Sequence, residues 1–162
     1  MQTRLTFVVA ARDGGKTTRL KQLIEQAQHA GLKVSGVIAL ANPEKTWYRL
    51  KDLSSTESRL ALSSQINLGT ERIGRFSISS DVFAWANALI EQSMATTELI
   101  VFDEIGKLEL QGGGLAPSFR KALDETSCNI LASVRDEHVE AVLKCFAIDA
   151  SHLSIVKVEK EE

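Results

Sequence analysis

The first forty residues show two short apolar runs separated by an amphipathic segment. Residues 5–10 and 34–40 are almost continuously apolar, which is typical of strands buried on both faces of a sheet. Between them, apolar residues recur at helical spacing, and Gly31 stands where such a helix would end. The order strand, helix, strand predicts a βαβ unit of a parallel sheet.

The pattern changes between residues 42 and 77. Short apolar or aromatic runs occupy residues 47–50, 59–62 and 73–77, and a polar stretch separates the first two. Short strands bounded by polar segments predict β-hairpin elements inserted into the α/β plan. A helix follows, for which Ser79 or Ser80 is the expected N-cap.

The second half of the chain returns to alternating strands and helices. Residues 99–102 form a third buried strand, and residues 129–134 and 153–158 are predicted as a fourth and a last strand. We predict helices from about residue 117 to 126 and around residues 139–146, with a glycine-rich loop at residues 112–114 before the first. The sequence therefore predicts an α/β fold: a three-layer sandwich with a mostly parallel sheet of about five strands and a β-hairpin insertion, in one domain over residues 1–162.

Composition narrows the class of protein. The chain has 162 residues, of which 44% are hydrophobic and 25% charged, and its formal net charge is -2. These values are ordinary for a soluble globular protein, and nucleic-acid binding is not indicated. The apolar run near the N-terminus is too short for a membrane span, and the two cysteines lack metal-ligand spacing. We therefore expect a cytoplasmic protein with no membrane contact, in which Cys128 and Cys145 are buried.

The segment after the first strand carries the strongest functional signal. Residues 10–18 read Ala-Ala-Arg-Asp-Gly-Gly-Lys-Thr-Thr, which matches the P-loop pattern G-x-x-x-x-G-K-[ST] except at Ala10. In such a loop, backbone N–H groups and the N-terminus of the following helix bind phosphate oxygens. The predicted phosphate-binding residues are Ala11, Arg12, Asp13, Gly14, Gly15, Lys16, Thr17 and Thr18.

Two of these side chains have specific expected roles. Lys16 is placed to reach the β- and γ-phosphates of a nucleotide, and the Thr17 hydroxyl to ligate Mg²⁺. Ala10 replaces the first glycine of the pattern, and alanine at that position costs energy if the backbone needs a positive φ.

The third buried run ends in two carboxylates, Asp103 and Glu104. An apolar strand that ends in aspartate is the Walker B pattern, in which the aspartate holds Mg²⁺. A second carboxylate beside it can orient and polarise an attacking water. We therefore predict Asp103 as a metal ligand and Glu104 as a catalytic residue.

Residues 103–110 read Asp-Glu-Ile-Gly-Lys-Leu-Glu-Leu. Together with the Gly-Lys-Thr-Thr segment, this run resembles the P-loop nucleoside-triphosphatases first known from thermophiles, a group that includes the human cancer-related nucleoside-triphosphatase. The resemblance spans nearly the whole chain and implies slow hydrolysis of several nucleoside triphosphates to the diphosphate and phosphate. It also implies phosphate, metal and catalytic roles for Lys16, Thr17, Asp103 and Glu104.

The chain departs from that family at three places. Ala10 replaces a glycine, the glycine-rich loop at residues 111–114 is longer and more flexible than expected, and residues 135–139 replace an expected His-Pro-like element. Arg135 is a candidate catalytic cation, although a surface arginine fits the pattern equally well. Lys107 and Glu109 fit loop packing better than catalysis.

Aromatic residues and histidines give weaker signals. The pairs Trp47–Tyr48 and Arg75–Phe76 suit either hairpin packing or nucleobase stacking, and packing is favoured. The three histidines, His29, His138 and His152, have no ligand spacing.

The resulting hypothesis is a slow Mg²⁺-dependent hydrolase of ATP, GTP, CTP and UTP, because no base-reading motif is evident. Two alternatives stay open. One is a small P-loop kinase, and the other is a nucleotide-binding accessory protein that switches a partner of unknown identity.

Overall fold

The computed structural model describes residues 4–11 and 15–159. Its strands are β1 Leu5–Ala10, β2 Val34–Ala41, β3 Trp47–Asp52, β4 Ser58–Ser63, β5 Arg72–Ile73, β6 Phe76–Ile78, β7 Leu99–Phe102, β8 Asn129–Arg135 and β9 Leu153–Lys157. Its helices are α1 Lys16–His29, α2 Ser80–Ser93, α3 Lys107–Leu110, α4 Ala116–Glu125 and α5 Val139–Cys145, with short 3₁₀ turns at Asp136–His138 and Ala150–His152.

Five strands form the parallel half of the sheet, in the order β2-β7-β8-β1-β9. These are the five strands predicted for the parallel sheet, so this half of the sheet was predicted correctly. Strand β8 lies between β1, which precedes the P-loop, and β7, which carries Asp103 at its end. The carboxyl ends of all five strands therefore lie at one edge of the sheet, where α/β proteins bind ligands.

The predicted hairpin insertion extends the same sheet. Strands β3, β4, β6 and β5 add to it in that order, all antiparallel, with β3 paired to β2. Without this addition β2 would be an edge strand, and its backbone N–H and C=O groups on that side would lack ladder partners. The nine strands of the described chain thus form one continuous sheet, which is wider than the sequence indicated.

Apolar side chains cover both faces of the sheet. On one face, Leu20 and Ile24 of α1 pack against the parallel strands. On the other face, α2, α4 and α5 contribute Phe83, Phe119 and Val142 to a larger cluster. The three-layer arrangement is therefore confirmed, because helices pack on both faces of the sheet.

The ends of the helices agree with the predicted caps, apart from one helix that was missed. The Ser79 hydroxyl accepts a hydrogen bond from the Val82 N–H, so Ser79 caps α2. The short helix α3 lies in the segment predicted as loop.

The predicted burial of the two cysteines was wrong for Cys145. That residue is exposed, because it lies on the solvent side of the last turn of α5, while Cys128 is half-buried. Within the described residues, no helix combines the length and apolar character that crossing a membrane requires.

Candidate active site

The strand register brings the predicted site residues together. Ala10 at the end of β1 pairs with Arg135 at the end of β8, and Phe102 pairs with Ala132 on β8. The residues that follow these strands therefore meet at one edge of the sheet. They line a cavity of about 920 Å³ that reaches from the start of α1 to the hairpin insertion.

The described part of the P-loop has the expected geometry. Gly15 is the N-cap of α1 with φ 85°, a left-handed conformation that favours glycine. Lys16 and Thr17 are the first helical residues, and both line the cavity together with Thr18. Ala11 is exposed beside the end of β1. The other predicted phosphate-binding residues, Arg12, Asp13 and Gly14, lie outside the described residues.

Ala10 lies in extended backbone at the end of β1 and is only 3% exposed. Among the described non-glycine residues, the positive φ values belong to Lys45 and Ala147. The alanine at the first position of the pattern is therefore compatible with this backbone, and the expected strain does not arise.

Asp103 is buried at the centre of the site, with 4% of its surface exposed. Its Oδ1 accepts a hydrogen bond of 2.6 Å from the Ser133 hydroxyl. Its Oδ2 accepts bonds of 3.2 Å from the Thr17 hydroxyl and 3.0 Å from the Ala39 N–H. Burial raises the pKa of Asp103, and these hydrogen bonds and nearby Lys16 oppose that rise. The carboxylate is thus fixed in one orientation by three strands and α1.

The donor set around Asp103 fits Mg²⁺. The Thr17 hydroxyl oxygen and Asp103 Oδ2 lie 3.2 Å apart at the cavity wall. Mg²⁺ prefers oxygen ligands and usually takes only one or two carboxylates from a protein, with waters and substrate phosphates completing its shell. Thr17 and Asp103 are therefore suited to hold the ion, and the cavity leaves room for the phosphates.

Glu104 follows Asp103 and turns into the same cavity. Its side chain is 36% exposed overall, but its Oε2 atom is buried and has no hydrogen-bonding partner among the described residues. Burial raises the pKa of Glu104, while the charges of Lys16 and Arg135 lower it. One carboxylate oxygen thus remains available to a ligand in the cavity.

Arg135 lies in the site rather than on the surface. One guanidinium nitrogen lies 3.9 Å from Glu104 Oε1, and another lies 3.8 Å from Glu137 Oε1. Its side chain is 28% exposed and lines the cavity. A cation held in this way can stabilise a negative charge that develops near Glu104.

Glu109 organises the loop that follows Glu104. Its Oε1 accepts a 2.9 Å hydrogen bond from the Gly106 N–H, and its Oε2 accepts one of the same length from the Leu115 N–H. Gly114, with φ 57°, passes so close that a Cβ there would collide with the Glu109 carboxylate. Glu109 is therefore a loop-packing residue, as favoured from the sequence, and it ties α3 and the glycine-rich segment together.

We expect Glu109 to make folding depend on pH. Burial raises its pKa from the ordinary value of 4.5 to about 7. Because the pKa of Glu109 is higher in the folded than in the unfolded protein, its protonated form contributes stability. That contribution is fully present below about pH 4.5 and is lost as the pH rises through 7. The full loss is about 3 kcal/mol, since one pKa unit corresponds to about 1.4 kcal/mol.

The measurement is the free energy of unfolding of wild type and Glu109→Gln at pH 5 and pH 8. Taking the difference between the two proteins cancels the titration of all other groups. Wild type should lose stability relative to the glutamine variant over this interval. Parallel pH dependences of the two proteins would contradict the role of Glu109.

Three contributors to the site were not predicted from the sequence: Ser133, the Ala39 N–H and His138. Ser133 is a polar residue in an apolar strand, and that exception was the available signal. No sequence signal marks a backbone N–H such as that of Ala39.

Of the aromatic candidates, Tyr48 and Phe76 line the cavity, and they contact each other edge to face at 5.6 Å between ring centres.

Comparison with known proteins identifies the family. A family model described as NTPase matches residues 6–162. The nucleoside-triphosphatase THEP1 of Pyrococcus abyssi is 30% identical over 125 residues, which cover 74% of this chain and 66% of that protein. The protein of the same name from Methanothermobacter thermautotrophicus is 26% identical over 151 residues, which cover 86% of this chain and 82% of that protein.

A solved structure supports the fold independently. The crystal structure of THEP1 from the hyperthermophile Aquifex aeolicus has a TM-score of 0.78 to this chain at 17% sequence identity. The likeness covers 96% of this chain and 90% of that one, so the P-loop NTPase fold is shared throughout. Because the family model covers all but the first few residues, this chain belongs to the NTPase family of nucleoside-triphosphatases.

Proposed function

We propose that this chain is a Mg²⁺-dependent hydrolase of nucleoside triphosphates that uses Glu104 to hold the attacking water. The observation that carries the proposal is the buried Oε2 of Glu104, which has no partner among the described residues and lies beside Asp103 in a cavity that also contains Lys16 and Thr17. A carboxylate oxygen in that position can hold a water molecule, and this water is the proposed acceptor of the phosphoryl group. A cytoplasmic location stays a prediction of the cysteine pattern.

Each residue has a separate part in the reaction. Lys16 and the N-terminus of α1 bind the phosphates, and Thr17 and Asp103 hold the ion. Bound Mg²⁺ neutralises charge on the β- and γ-phosphates. The water oxygen forms a bond to the γ-phosphorus while the bond from that phosphorus to the β,γ-bridging oxygen breaks. Glu104 accepts the proton of the water, and the products are the diphosphate and phosphate.

Arg135 is proposed to stabilise charge on the γ-phosphoryl group. Its guanidinium lies 3.9 Å from Glu104, so it reaches the same part of the cavity. In other P-loop proteins, a cation supplied in this way accelerates hydrolysis by about 10³- to 10⁵-fold. Without such a cation intrinsic turnover is on the order of 10⁻⁴ s⁻¹, and with an arginine of the same chain it is about 10⁻² s⁻¹. We expect slow turnover here too, because Glu104 and Glu137 both compete for the Arg135 charge.

Substituting Asp103 with asparagine should raise the Mg²⁺ concentration needed for half-maximal phosphate release. The variant keeps the shape of the side chain but loses the anionic oxygen that faces Thr17. Hard cations depend on such charged oxygen ligands. The measurement is a Mg²⁺ titration at saturating nucleotide, with thermal unfolding as the control for folding. An unchanged titration midpoint would remove Asp103 from the metal site.

We also propose that the enzyme accepts ATP, GTP, CTP and UTP. The described lining of the cavity contains no asparagine or glutamine, and Asp103 and Glu109 are already engaged in hydrogen bonds. No amide side chain of the described lining is therefore available to read the mixed donor and acceptor edge of a base. We expect kcat/KM for the four nucleotides to agree within about tenfold, a spread of about 1.4 kcal/mol. A thousandfold preference for one nucleotide in phosphate-release assays would contradict this.

A second candidate function is phosphoryl transfer to a small acceptor. It is favoured by one observation, the continuation of the cavity past Glu104 into an apolar part lined by Tyr48, Ile73 and Phe76. The ratio of products separates the two functions. Hydrolysis yields one phosphate for each diphosphate, and transfer yields diphosphate without phosphate. We expect a ratio of one, both alone and with added acceptor alcohols.

A further inference from the structure

Two buried polar atoms in the cavity have no hydrogen-bonding partner among the described residues. They are Oε2 of Glu104 and Nδ1 of His138. His138 Nδ1 and the carboxyl group of Glu104 border the same small region beside Gly106, because a Cβ placed on Gly106 would lie 3.7 Å from Nδ1 and 3.8 Å from Cδ of Glu104. Buried polar atoms are nearly always paired, so two such atoms at one place indicate a shared ligand.

The fold holds His138 with Nδ1 towards the cavity. His138 ends the 3₁₀ turn Asp136–His138, which directly follows β8, and its side chain is 20% exposed. The other ring nitrogen, Nε2, lies 3.9 Å from the exposed carboxylate of Glu137. A carboxylate on that side favours the tautomer with the proton on Nε2. We therefore assign Nδ1 as a hydrogen-bond acceptor.

An acceptor at Nδ1 and another at Glu104 Oε2 fit one particular ligand. A water molecule has two hydrogens to donate, and these two atoms can accept both. Its lone pairs then point away from Glu104 and His138, towards the rest of the cavity where Lys16 and Thr17 bind the phosphates. A nucleophile held in this way needs little further ordering before it attacks.

We propose that His138 is a further catalytic residue, which orients the attacking water by accepting a hydrogen bond through Nδ1. The inference rests on the proposed function, because it assumes that Glu104 accepts the other hydrogen of the same water. In the reaction His138 takes up no proton. The proton released as the water oxygen bonds to the γ-phosphorus goes to Glu104, and the bond to the bridging oxygen breaks as before.

The test compares three substitutions of His138. Asparagine places an amide atom close to the position of Nδ1, glutamine places one close to Nε2, and leucine places none in either position. His29→Asn is the matched control, because His29 is exposed at the end of α1 and lies outside the cavity lining. For each protein we would measure kcat, KM, nucleotide affinity and the midpoint of thermal unfolding.

We expect His138→Leu and His138→Gln to lower kcat by at least about tenfold, which is less than the roughly 10²-fold minimum of general acid–base catalysis because His138 accepts a hydrogen bond and moves no proton, with nucleotide affinity unchanged. His138→Asn should recover most of that loss. A residue needed only for packing would instead change activity in step with the unfolding midpoint. Equal kcat in His138→Leu and wild type, or equal losses in the asparagine and leucine variants when all are folded, would overturn the inference.

A double-mutant cycle with Glu104 completes the test. If both side chains hold one water, the effect of His138→Leu on kcat should largely disappear in the Glu104→Gln background. Fully multiplicative effects would show that the two residues act separately and would overturn the shared-water arrangement. A different result would contradict the proposed function itself, namely turnover of the single variant Glu104→Gln equal to that of wild type.

Discussion

Lys16→Ala should lower phosphate release by at least about a thousandfold, the scale of a cation that stabilises phosphoryl transfer. Lys16 begins α1 and lines the cavity, and its charge acts on both Asp103 and Glu104. Removing it takes away a cation whose charge acts on both site carboxylates. Nucleotide binding should weaken as well, because Lys16 is proposed to contact the phosphates in both the ground state and the transition state.

Folding of this variant should be preserved. Lys16 is only half-buried, and none of its atoms belongs to the apolar clusters of the core. Lys144→Ala is the matched control, because Lys144 is an exposed helical lysine in α5 outside the cavity lining. The measurement is phosphate release together with binding of a fluorescent nucleotide and thermal unfolding. A folded Lys16→Ala protein with wild-type turnover would show that the P-loop does not take part in the reaction.

Glu104→Gln should hydrolyse nucleotide at least about a hundredfold more slowly than wild type while binding it about as tightly. Glutamine keeps the volume of the side chain but removes the charge that orients the water and accepts its proton. The Oε2 position has no other partner among the described residues, so no protein contact replaces the lost interaction. The phosphate-binding groups are unchanged, so the effect should appear in kcat.

The comparison must be made at matched nucleotide occupancy. Single-turnover hydrolysis at saturating enzyme separates chemistry from product release, and equilibrium titration measures the affinity. Glu140→Gln, an exposed substitution in the first turn of α5, controls for a general change of charge. Equal turnover of Glu104→Gln and wild type would leave the P-loop assignment intact but refute the hydrolytic mechanism, and the accessory-switch alternative would then be favoured.

Local patterns were sufficient for the parallel half of the sheet. Its strands are short, mainly apolar runs, and the helices carry apolar residues at helical spacing, so the periodicities differ. The site residues at the strand ends followed from the same reasoning. Once parallel strands are predicted, Asp103 and Arg135 must lie at the carboxyl edge, and the structure places both in one cavity.

The loop after Glu104 shows where local patterns were not sufficient. The glycines at residues 112–114 predicted a long loop, but the structure contains the helix α3 and turns that close onto Glu109. The Glu109 carboxylate accepts backbone hydrogen bonds from both ends of this segment. A buried carboxylate that satisfies backbone N–H groups looks the same in sequence as an exposed acidic residue, so loop packing could be favoured for Glu109 but its hydrogen-bond partners could not be predicted.

The sequence by itself determined the fold class, the P-loop, the acidic strand end and the family resemblance, because each depends on residues that are close along the chain. Only the tertiary structure decided which polar groups meet. The register of β8 against β7 sets Ser133 beside Asp103, and the turn after β8 sets His138 beside Glu104. Such contacts join residues about thirty positions apart, and they depend on strand register and loop closure, which local periodicity does not encode.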